Sequence, residues 1–200
     1  MTEIAIIVLA AGKGTRMKSA LPKVMHRAAG RSLIGHVLHA AKGISPAEAV
    51  VVVGPGMEEV AAEARKLFPK ARTAVQADRL GTGHAVGMAK PALEGFTGTV
   101  LILYGDVPLI TAESLSRLTS LAETSGMAVL GFEAADPHGY GRLLRNAGGA
   151  AIAIREELDA TPEERAMNLC NSGIIAASAD VLWPLLARVG NANAKGEYYL

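Results

Sequence analysis

Residues 4–17 read IAIIVLAAGKGTRM, an apolar run that leads directly into a loop of glycines and cations. Because residues 4–9 are all apolar, we predict a strand that is buried on both faces, as strands of parallel sheets are. Further apolar runs alternate with segments of helical periodicity along the chain. That alternation is typical of βα units, so we predict an α/β fold of Rossmann-like type. Its sheet should be mixed but mainly parallel, with helices on both faces.

The other predicted elements follow from the same patterns. The predicted strands are residues 49–53, 73–75, 100–104 and 128–132, and the predicted helices are residues 31–42, 57–68, 84–93, 112–123 and 179–188. Residues 136–175 combine turn signals, short strands and charges, which predicts a small accessory lobe over the sheet. No repeat or linker divides the chain, so residues 1–200 are interpreted as one domain. Residues 196–200 carry no stop signal, and we expect the domain to continue beyond them.

Composition excludes several classes of function. A net charge of +1 gives no support to a nucleic-acid surface, which needs a strongly basic face. The apolar run of residues 4–11 is too short to cross a bilayer. Cys170 is the only cysteine, so no disulfide can form within the chain and a cytoplasmic location is expected. We interpret Cys170 as a buried, unreactive thiol.

The loop after the first predicted strand has the composition of a phosphate-binding site. It leaves the carboxyl end of that strand, where open α/β sheets bind ligands. Gly12 and Gly14 let backbone N–H groups converge on phosphate oxygens. Four cations lie within eleven residues, namely Lys13, Arg16, Lys18 and Lys23. Met17 replaces the third glycine of a dinucleotide fingerprint, and no P-loop string occurs; a surface turn with solvated lysines is the alternative.

These residues carry a family resemblance. The strings LAAGKGTRM (residues 9–17) and LPK (residues 21–23) resemble the signature of sugar-nucleotide pyrophosphorylases, and within them the bacterial UDP-N-acetylglucosamine pyrophosphorylases. The resemblance implies a nucleotide-diphospho-sugar transferase fold. It also implies that Arg16 and Lys23 are catalytic, neutralising the transferring phosphate. Backbone contacts to the nucleotide would come from Leu9, Ala10, Ala11, Gly12 and Gly14.

A second string, QADRLGTGHA (residues 76–85), is similar to the segment with which that family binds uracil. Gln76 offers both a donor and an acceptor, as a pyrimidine edge requires, and Gly81 allows close approach to a planar ring. By resemblance Gln76 and Gly81 contact the base, and Thr82 borders the sugar. Thr82 could instead cap the following helix. We interpret His84 as structural.

A third string, LYGDVPL (residues 103–109), places a carboxylate just after a buried strand. Mg²⁺ prefers oxygen ligands and usually takes one or two carboxylates together with substrate phosphates. A lone Asp in a turn is usually a turn former, but the string resembles the metal-binding turn of the family. The resemblance therefore implies that Asp106 binds Mg²⁺ and that Tyr104 and Gly105 line the sugar pocket. The family's second ligand is an asparagine further downstream than Leu200.

Three more sites match the family's sugar contacts in the expected order. The backbone N–H of Gly141 would bind a sugar hydroxyl, Glu156 would accept from ring hydroxyls, and Asn171 would bind near the N-acetyl group. Ser172 replaces the family's threonine and keeps its hydroxyl. Taken singly, each match has an alternative: a turn glycine, an exposed glutamate and an Asx turn.

The resemblance implies synthesis of UDP-N-acetylglucosamine and pyrophosphate from UTP and N-acetylglucosamine 1-phosphate, which supplies peptidoglycan and lipopolysaccharide precursors. No nucleic acid and no membrane would take part. Full-length members form homotrimers through a further acetyltransferase domain whose hexapeptide repeats do not occur here. Two alternatives stay open. One is a nucleotidyltransferase for another sugar phosphate or cofactor, and the other is a non-catalytic nucleotide-binding module.

Overall fold

A computed structural model describes residues 2–12, 14 and 17–200. Its strands are β1 (Ile4–Leu9), β2 (Arg27–Ala28), β3 (Arg31–Ser32), β4 (Glu48–Val53), β5 (Arg72–Val75), β6 (Thr99–Tyr104), β7 (Met127–Glu133), β8 (Arg142–Arg145), β9 (Ala151–Arg155) and β10 (Leu169–Ser178). Its α-helices are α1 (Leu33–Lys42), α2 (Glu58–Leu67), α3 (Thr82–Ala89), α4 (Ala112–Ser125), α5 (Pro162–Arg165) and α6 (Ala179–Leu186). Short 3₁₀ turns cover Lys23–Met25 and Lys90–Leu93.

Within the described residues, eight strands form one mixed sheet. Its order is β5-β4-β1-β6-β10-β8-β9, with β7 paired to β10. The β5, β4, β1 and β6 strands are parallel, and β10 is antiparallel to β6, β7 and β8. The chain moves outward from β1 to β5 and then returns to β6 on the other side of β1. This reversal creates a crevice at the carboxyl ends of β1 and β6, the usual ligand position in open α/β sheets.

The predicted burial of β1 is confirmed. Ile6 and Val8 face a core layer shared with α1, α2 and α4, while Ala5 and Ile7 face a layer shared with α3 and α6. All four side chains are fully buried. Parallel strands covered on both faces need continuous apolar sequence, which is why β1 lacks polar alternation.

Several predicted boundaries shift by a few residues. The helix predicted from residue 31 begins instead at Leu33, because Arg31 and Ser32 pair with β2. Ser32 then caps α1, its hydroxyl accepting a hydrogen bond from the N–H of Gly35. The helix predicted over residues 84–93 begins earlier, at Thr82, and changes to a 3₁₀ turn at Lys90.

The predicted accessory lobe contains β8, β9 and α5, and it continues the main sheet through β10. The register of β10 against β7 shifts between Asn171 and Ile175, so β10 pairs with β6 at one end and with β8 at the other. Arg142 is 1% exposed at the centre of the lobe. Its guanidinium donates to the carbonyl oxygens of Arg165 (3.0 Å) and Tyr140. Its Nη2 also lies 3.4 Å from Oε1 of Glu157, and this ion pair together with the two bonds compensates the cost of burying its charge.

Cys170 lies on β10 and is fully buried. Burial raises the pKa of its thiol, which disfavours the reactive thiolate. The structure therefore agrees with a packing role for this side chain. None of the helices in the described part of the chain combines the length and the apolar character that a bilayer crossing needs.

Candidate nucleotide and sugar-phosphate site

A cleft of about 270 Å³ opens at the carboxyl ends of β1 and β6. It brings together the phosphate loop, the QADRLGTGHA segment and the turn after β6. Its lining includes ten of the residues predicted from sequence: Leu9, Ala10, Gly12, Gly14, Lys23, Gln76, Gly81, Thr82, Tyr104 and Asp106. Four further lining residues are Val24, Arg79, Ala85 and Glu197. Segments that are distant in sequence thus converge on one cavity.

The phosphate loop packs against the 3₁₀ turn that carries Lys23. Gly14 has φ +59°, and a methyl group at this position would lie 2.5 Å from Cβ of Lys23. Both the backbone conformation and the close approach therefore require glycine. At Gly12 an added methyl would meet no described atom within 4 Å, so the loop is open on that side. Arg16, predicted to be catalytic, and Lys13 lie outside the described residues.

Lys23 and Asp106 form an ion pair across the cleft. The Nζ atom of Lys23 donates to Oδ2 of Asp106 at 2.7 Å, and their side chains are 44% and 29% exposed. A pair this exposed contributes little to stability. Its significance is chemical, because it places the predicted catalytic cation and the predicted metal carboxylate within direct reach of each other.

Gln76 is held in place before any ligand binds. Its side chain is 5% exposed, and Nε2 donates to the carbonyl oxygen of Gly81 at 3.0 Å. The same Nε2 lies 3.1 Å from Nδ1 of His84. His84 therefore has the structural role expected of it, since it fixes the amide that is predicted to bind the base.

The C-terminal segment forms part of the site, a role for which the sequence analysis had no signal. The N–H of Tyr198 donates to the carbonyl oxygen of Leu80 (2.7 Å), and the carbonyl oxygen of Tyr198 accepts from the N–H of Gly83 (2.8 Å). The hydroxyl of Thr82 accepts from the N–H of Leu200 at 3.0 Å. Thr82 is the first residue of α3, so its hydroxyl anchors this segment rather than capping the helix. The pairing also brings Glu197 to the rim of the cleft.

Gly81 is the tightest point of this pairing. Its φ is +113°, and a methyl group would lie 2.5 Å from the carbonyl oxygen of Tyr198. We expect Gly81→Ala to cost about 1–3 kcal/mol of stability, since this backbone region is almost confined to glycine. It should also weaken UTP binding at least about tenfold, because a loss of about 1.4 kcal/mol is tenfold. Chemical denaturation and calorimetry measure the two effects.

Gly87→Ala is the matched control, because Gly87 lies in the same helix and an added methyl there meets nothing within 4 Å. It should stabilise the fold by about 0.5–1 kcal/mol and leave UTP binding unchanged. Equal behaviour of the two variants would contradict the assigned role of Gly81.

The predicted sugar residues form a contiguous group beside the cleft. The N–H of Asn171 donates to the carbonyl oxygen of Gly141 (2.8 Å), and Oδ1 of Asn171 accepts from the N–H of Gly173 (2.9 Å). A methyl group on Gly141 would lie 2.6 Å from Oε1 of Glu156. Gly173 packs on the ring of Tyr104, where a methyl would lie 2.5 Å from Cε2. Tyr104 thus connects this group to the cleft.

Like Gln76 and Thr82, three further predicted residues already use polar groups inside the protein. Asn171 forms the Asx turn that was its alternative interpretation, so its Oδ1 is engaged. The N–H of Gly105 donates to the carbonyl oxygen of Leu9 at 3.0 Å. The carbonyl oxygen of Ala11 accepts from Arg79. These bonds set the positions of the turns, and the ligand contacts assigned to the three residues stay predictions.

Burial shifts the pKa values of two of the predicted sugar-binding residues, Glu156 and Tyr104. Partial burial raises the pKa of the Glu156 carboxyl above its ordinary value of 4.5, Lys195 opposes the shift, and Asp159 and Glu197 reinforce it. Burial likewise raises the pKa of the Tyr104 hydroxyl. A glutamate held in a partly buried, negatively charged setting gains by accepting hydrogen bonds from neutral sugar hydroxyls.

Glu156→Gln should make the fold more stable at neutral pH while weakening the binding of the sugar phosphate. The folded protein keeps the Glu156 proton to a higher pH than the unfolded chain, so wild-type stability falls as the pH rises from about 4.5 through the raised pKa. The variant lacks this loss and should be the more stable protein at pH 7.5, with the difference vanishing at low pH. Its KM for the sugar phosphate should rise about tenfold or more, as expected for losing a hydrogen bond to a charged group. Denaturation at several pH values and steady-state kinetics measure both effects.

The chemistry and position of Asp106 fit a ligand for a metal. It is a partly exposed carboxylate in the cleft at the end of β6, and Mg²⁺ commonly combines one such ligand with substrate phosphates. The described residues include no group of three or more His, Cys, Asp or Glu side chains that could hold a metal by themselves. The donor set therefore fits a metal that arrives with a phosphate ligand.

The chain is similar to known proteins in both sequence and structure. Residues 6–180 match the MobA-like NTP transferase domain. The bifunctional protein GlmU of Rhodospirillum rubrum is 56% identical over 203 residues, covering 100% of this chain and 44% of that protein. GlmU of Azorhizobium caulinodans is 53% identical over 198 residues, covering 98% of this chain and 44% of that protein. The chain thus spans less than half the length of these relatives, and the matches confirm the resemblance found in its motifs.

A crystal structure of UDP-glucose pyrophosphorylase complexed with UDP-glucose has a similar fold. The TM-score is 0.75 at 19% sequence identity, and the alignment covers 100% of this chain and 84% of that chain. At this identity the likeness concerns the fold alone. It confirms the predicted nucleotide-diphospho-sugar transferase architecture.

Proposed function

This chain belongs to the MobA-like NTP transferase domain family, and from that premise we propose that it is a uridylyltransferase. Its substrates are UTP and N-acetylglucosamine 1-phosphate, and its products are UDP-N-acetylglucosamine and pyrophosphate. The observation that supports this most strongly is the position of Lys23 and Asp106, 2.7 Å apart in one cleft with the glycine loop and Gln76. A cation, a carboxylate and a phosphate loop are what nucleotidyl transfer requires.

The proposed reaction is a single in-line displacement. A phosphate oxygen of the sugar phosphate attacks the α-phosphorus of UTP, the bond from that phosphorus to the bridging oxygen breaks, and pyrophosphate leaves. The attacking oxygen is already anionic at neutral pH, so no protein nucleophile or general base is needed. Catalysis then consists of positioning and charge neutralisation.

The residues divide these tasks. The N–H groups of the phosphate loop hold the triphosphate, and Lys23 neutralises charge on the transferring phosphate. The predicted role of Arg16 is the same. Asp106 would hold Mg²⁺, which when bound would supply charge neutralisation to the phosphates. On binding, the phosphates compete with Asp106 for Lys23 and release the Asp106 carboxylate from the ion pair.

Different residues would select the base and the sugar. The buried amide of Gln76, oriented by Gly81 and His84, offers a fixed edge to the base. Tyr104 and Glu156 border the sugar. A pyrimidine donor and an N-acetylated sugar phosphate are therefore the proposed pair. By the same resemblance we propose a cytoplasmic enzyme whose longer relatives assemble as homotrimers through their additional domain.

The test is pyrophosphate release from UTP and N-acetylglucosamine 1-phosphate in the presence of Mg²⁺. Turnover should require both substrates and the metal, and UTP should raise the melting temperature far more than CTP, GTP or dTTP. Stabilisation by UTP without pyrophosphate release would favour a non-catalytic binding module. Faster turnover with glucose 1-phosphate, or with CTP, would favour another nucleotidyltransferase of this family.

A further inference from the structure

Arg79 joins two of the loops that line the cleft. It lies between β5 and α3, three residues after Gln76, and its Nε donates to the carbonyl oxygen of Ala11 at 3.0 Å. Ala11 belongs to the phosphate loop, 68 residues earlier in the chain. The bond is partly buried, and Arg79 itself lines the cleft.

This bond determines the orientation of one peptide unit in the phosphate loop. In a planar trans peptide the carbonyl and the following N–H point in opposite directions. Fixing the oxygen of Ala11 on Arg79 therefore fixes the N–H of Gly12 on the opposite side. A cation on the carbonyl also polarises the peptide and makes that N–H a stronger donor. Gly12 lines the cleft, within reach of a phosphate chain bound there.

Gly54 leaves the space that the guanidinium occupies. A methyl group at Gly54 would lie 2.8 Å from Nη2 of Arg79 and 3.2 Å from the carbonyl oxygen of Ala11. Gly54 directly follows β4, so the ends of β1, β4 and β5 meet around this one side chain. Arg79 is an exposed residue overall, but its bond to Ala11 is partly buried and its guanidinium packs closely against Gly54.

The guanidinium has donors to spare. It carries five N–H groups in a planar fork that suits phosphate oxygens, and the bond from Nε to Ala11 uses one of them. We propose that Arg79 is a positioning residue for the phosphate chain of the nucleotide: it orients the peptide between Ala11 and Gly12 and adds a cation to that wall. The proposal rests on the proposed function, since it assigns a further residue to the same reaction.

The test compares ligands that differ only in phosphates. For Arg79→Ala we expect UTP affinity to fall about 10–100-fold, as for loss of a charge-assisted hydrogen bond, with uridine affinity unchanged. The KM for UTP should rise by a similar factor, while kcat and the KM for the sugar phosphate stay within about threefold. Arg79→Lys should recover part of the loss, because it restores the charge but not the fork.

Two further variants complete the design. Gly54→Ala keeps the charge but displaces the guanidinium, so it should show the same selective loss of UTP affinity. Arg72→Ala removes an equal charge from an exposed pair with Glu48 (2.6 Å). It should change neither the affinity for UTP nor the affinity for uridine.

The outcomes separate this inference from the proposed function. If Arg79→Ala lowered the affinities for uridine and for UTP by the same factor, the role of Arg79 would be merely structural and the inference would be overturned. Unchanged UTP affinity in Arg79→Ala, or in Gly54→Ala, would also overturn it. If instead the wild-type protein neither binds UTP nor releases pyrophosphate, the proposed function itself fails.

Discussion

Asp106→Asn is expected to lower uridylyl transfer about 10²–10³-fold, the usual effect of losing one electrostatic contact to a transition state. The substitution keeps the shape of the side chain and removes the charge that would hold the metal. It should leave the fold intact, because Asp106 is partly exposed and its ion pair with Lys23 contributes little to stability. Pyrophosphate release measured at saturating substrates gives the effect on turnover.

Binding of UTP without metal gives the second half of this prediction. In the variant Lys23 no longer has a full carboxylate partner, so it is more available to phosphate, and metal-free UTP affinity should hold or rise. Asp180→Asn is the matched control, since Asp180 is exposed in the first turn of α6 outside the cleft. Wild-type turnover in Asp106→Asn would remove this carboxylate from the mechanism.

Local sequence accounts for much of the fold. The continuous apolar run of β1 predicts burial on both faces, and the structure has it so. The first residue of a helix was harder to predict from sequence. Arg31 and Ser32 have the composition of a helix start but pair with β2. The continuation of the sheet through β10 depends on antiparallel pairings between distant segments and on a register shift at residues 171–175. Sequence periodicity contains no information on such pairings.

The site residues likewise divide into those that local sequence predicts and those that depend on contacts between distant segments. Motifs identified Gln76, Lys23 and Asp106, because each lies in a short string with a recognisable composition. Arg79 lies in one of those strings, yet its bond to Ala11 depends on how two loops meet, which no local pattern specifies. The pairing of Tyr198 with Leu80 was missed for the same reason. The burial of Arg142 was not predicted either, because it depends on pairing with Glu157, 15 residues further along the chain.

Lys23→Met should lower turnover about 10²–10³-fold, as Asp106→Asn does. Its effect on metal-free UTP affinity should be the opposite of the effect of Asp106→Asn. Metal-free UTP affinity should fall, because the cation that neutralises the phosphates is gone. Affinity of the nucleotide-free protein for Mn²⁺, used as a probe for Mg²⁺, should rise instead. The Oδ2 atom of Asp106, which accepts from Lys23 at 2.7 Å, is then unoccupied and the neighbouring positive charge is removed. Electron paramagnetic resonance titration of Mn²⁺ and calorimetry of UTP measure the two affinities.

Lys66→Met is the matched control, because it removes an exposed lysine from an ion pair with Glu63 (2.5 Å) on α2, outside the cleft, and should change neither affinity. The double variant Lys23→Met/Asp106→Asn decides whether the two side chains act as one unit. Residues in direct contact are non-additive, so its turnover should be lowered far less than the product of the single effects. If Lys23→Met weakened Mn²⁺ binding, Lys23 would be supporting the metal position rather than competing for it. The ion pair would then be part of the working site and not the state from which substrate phosphates release Asp106.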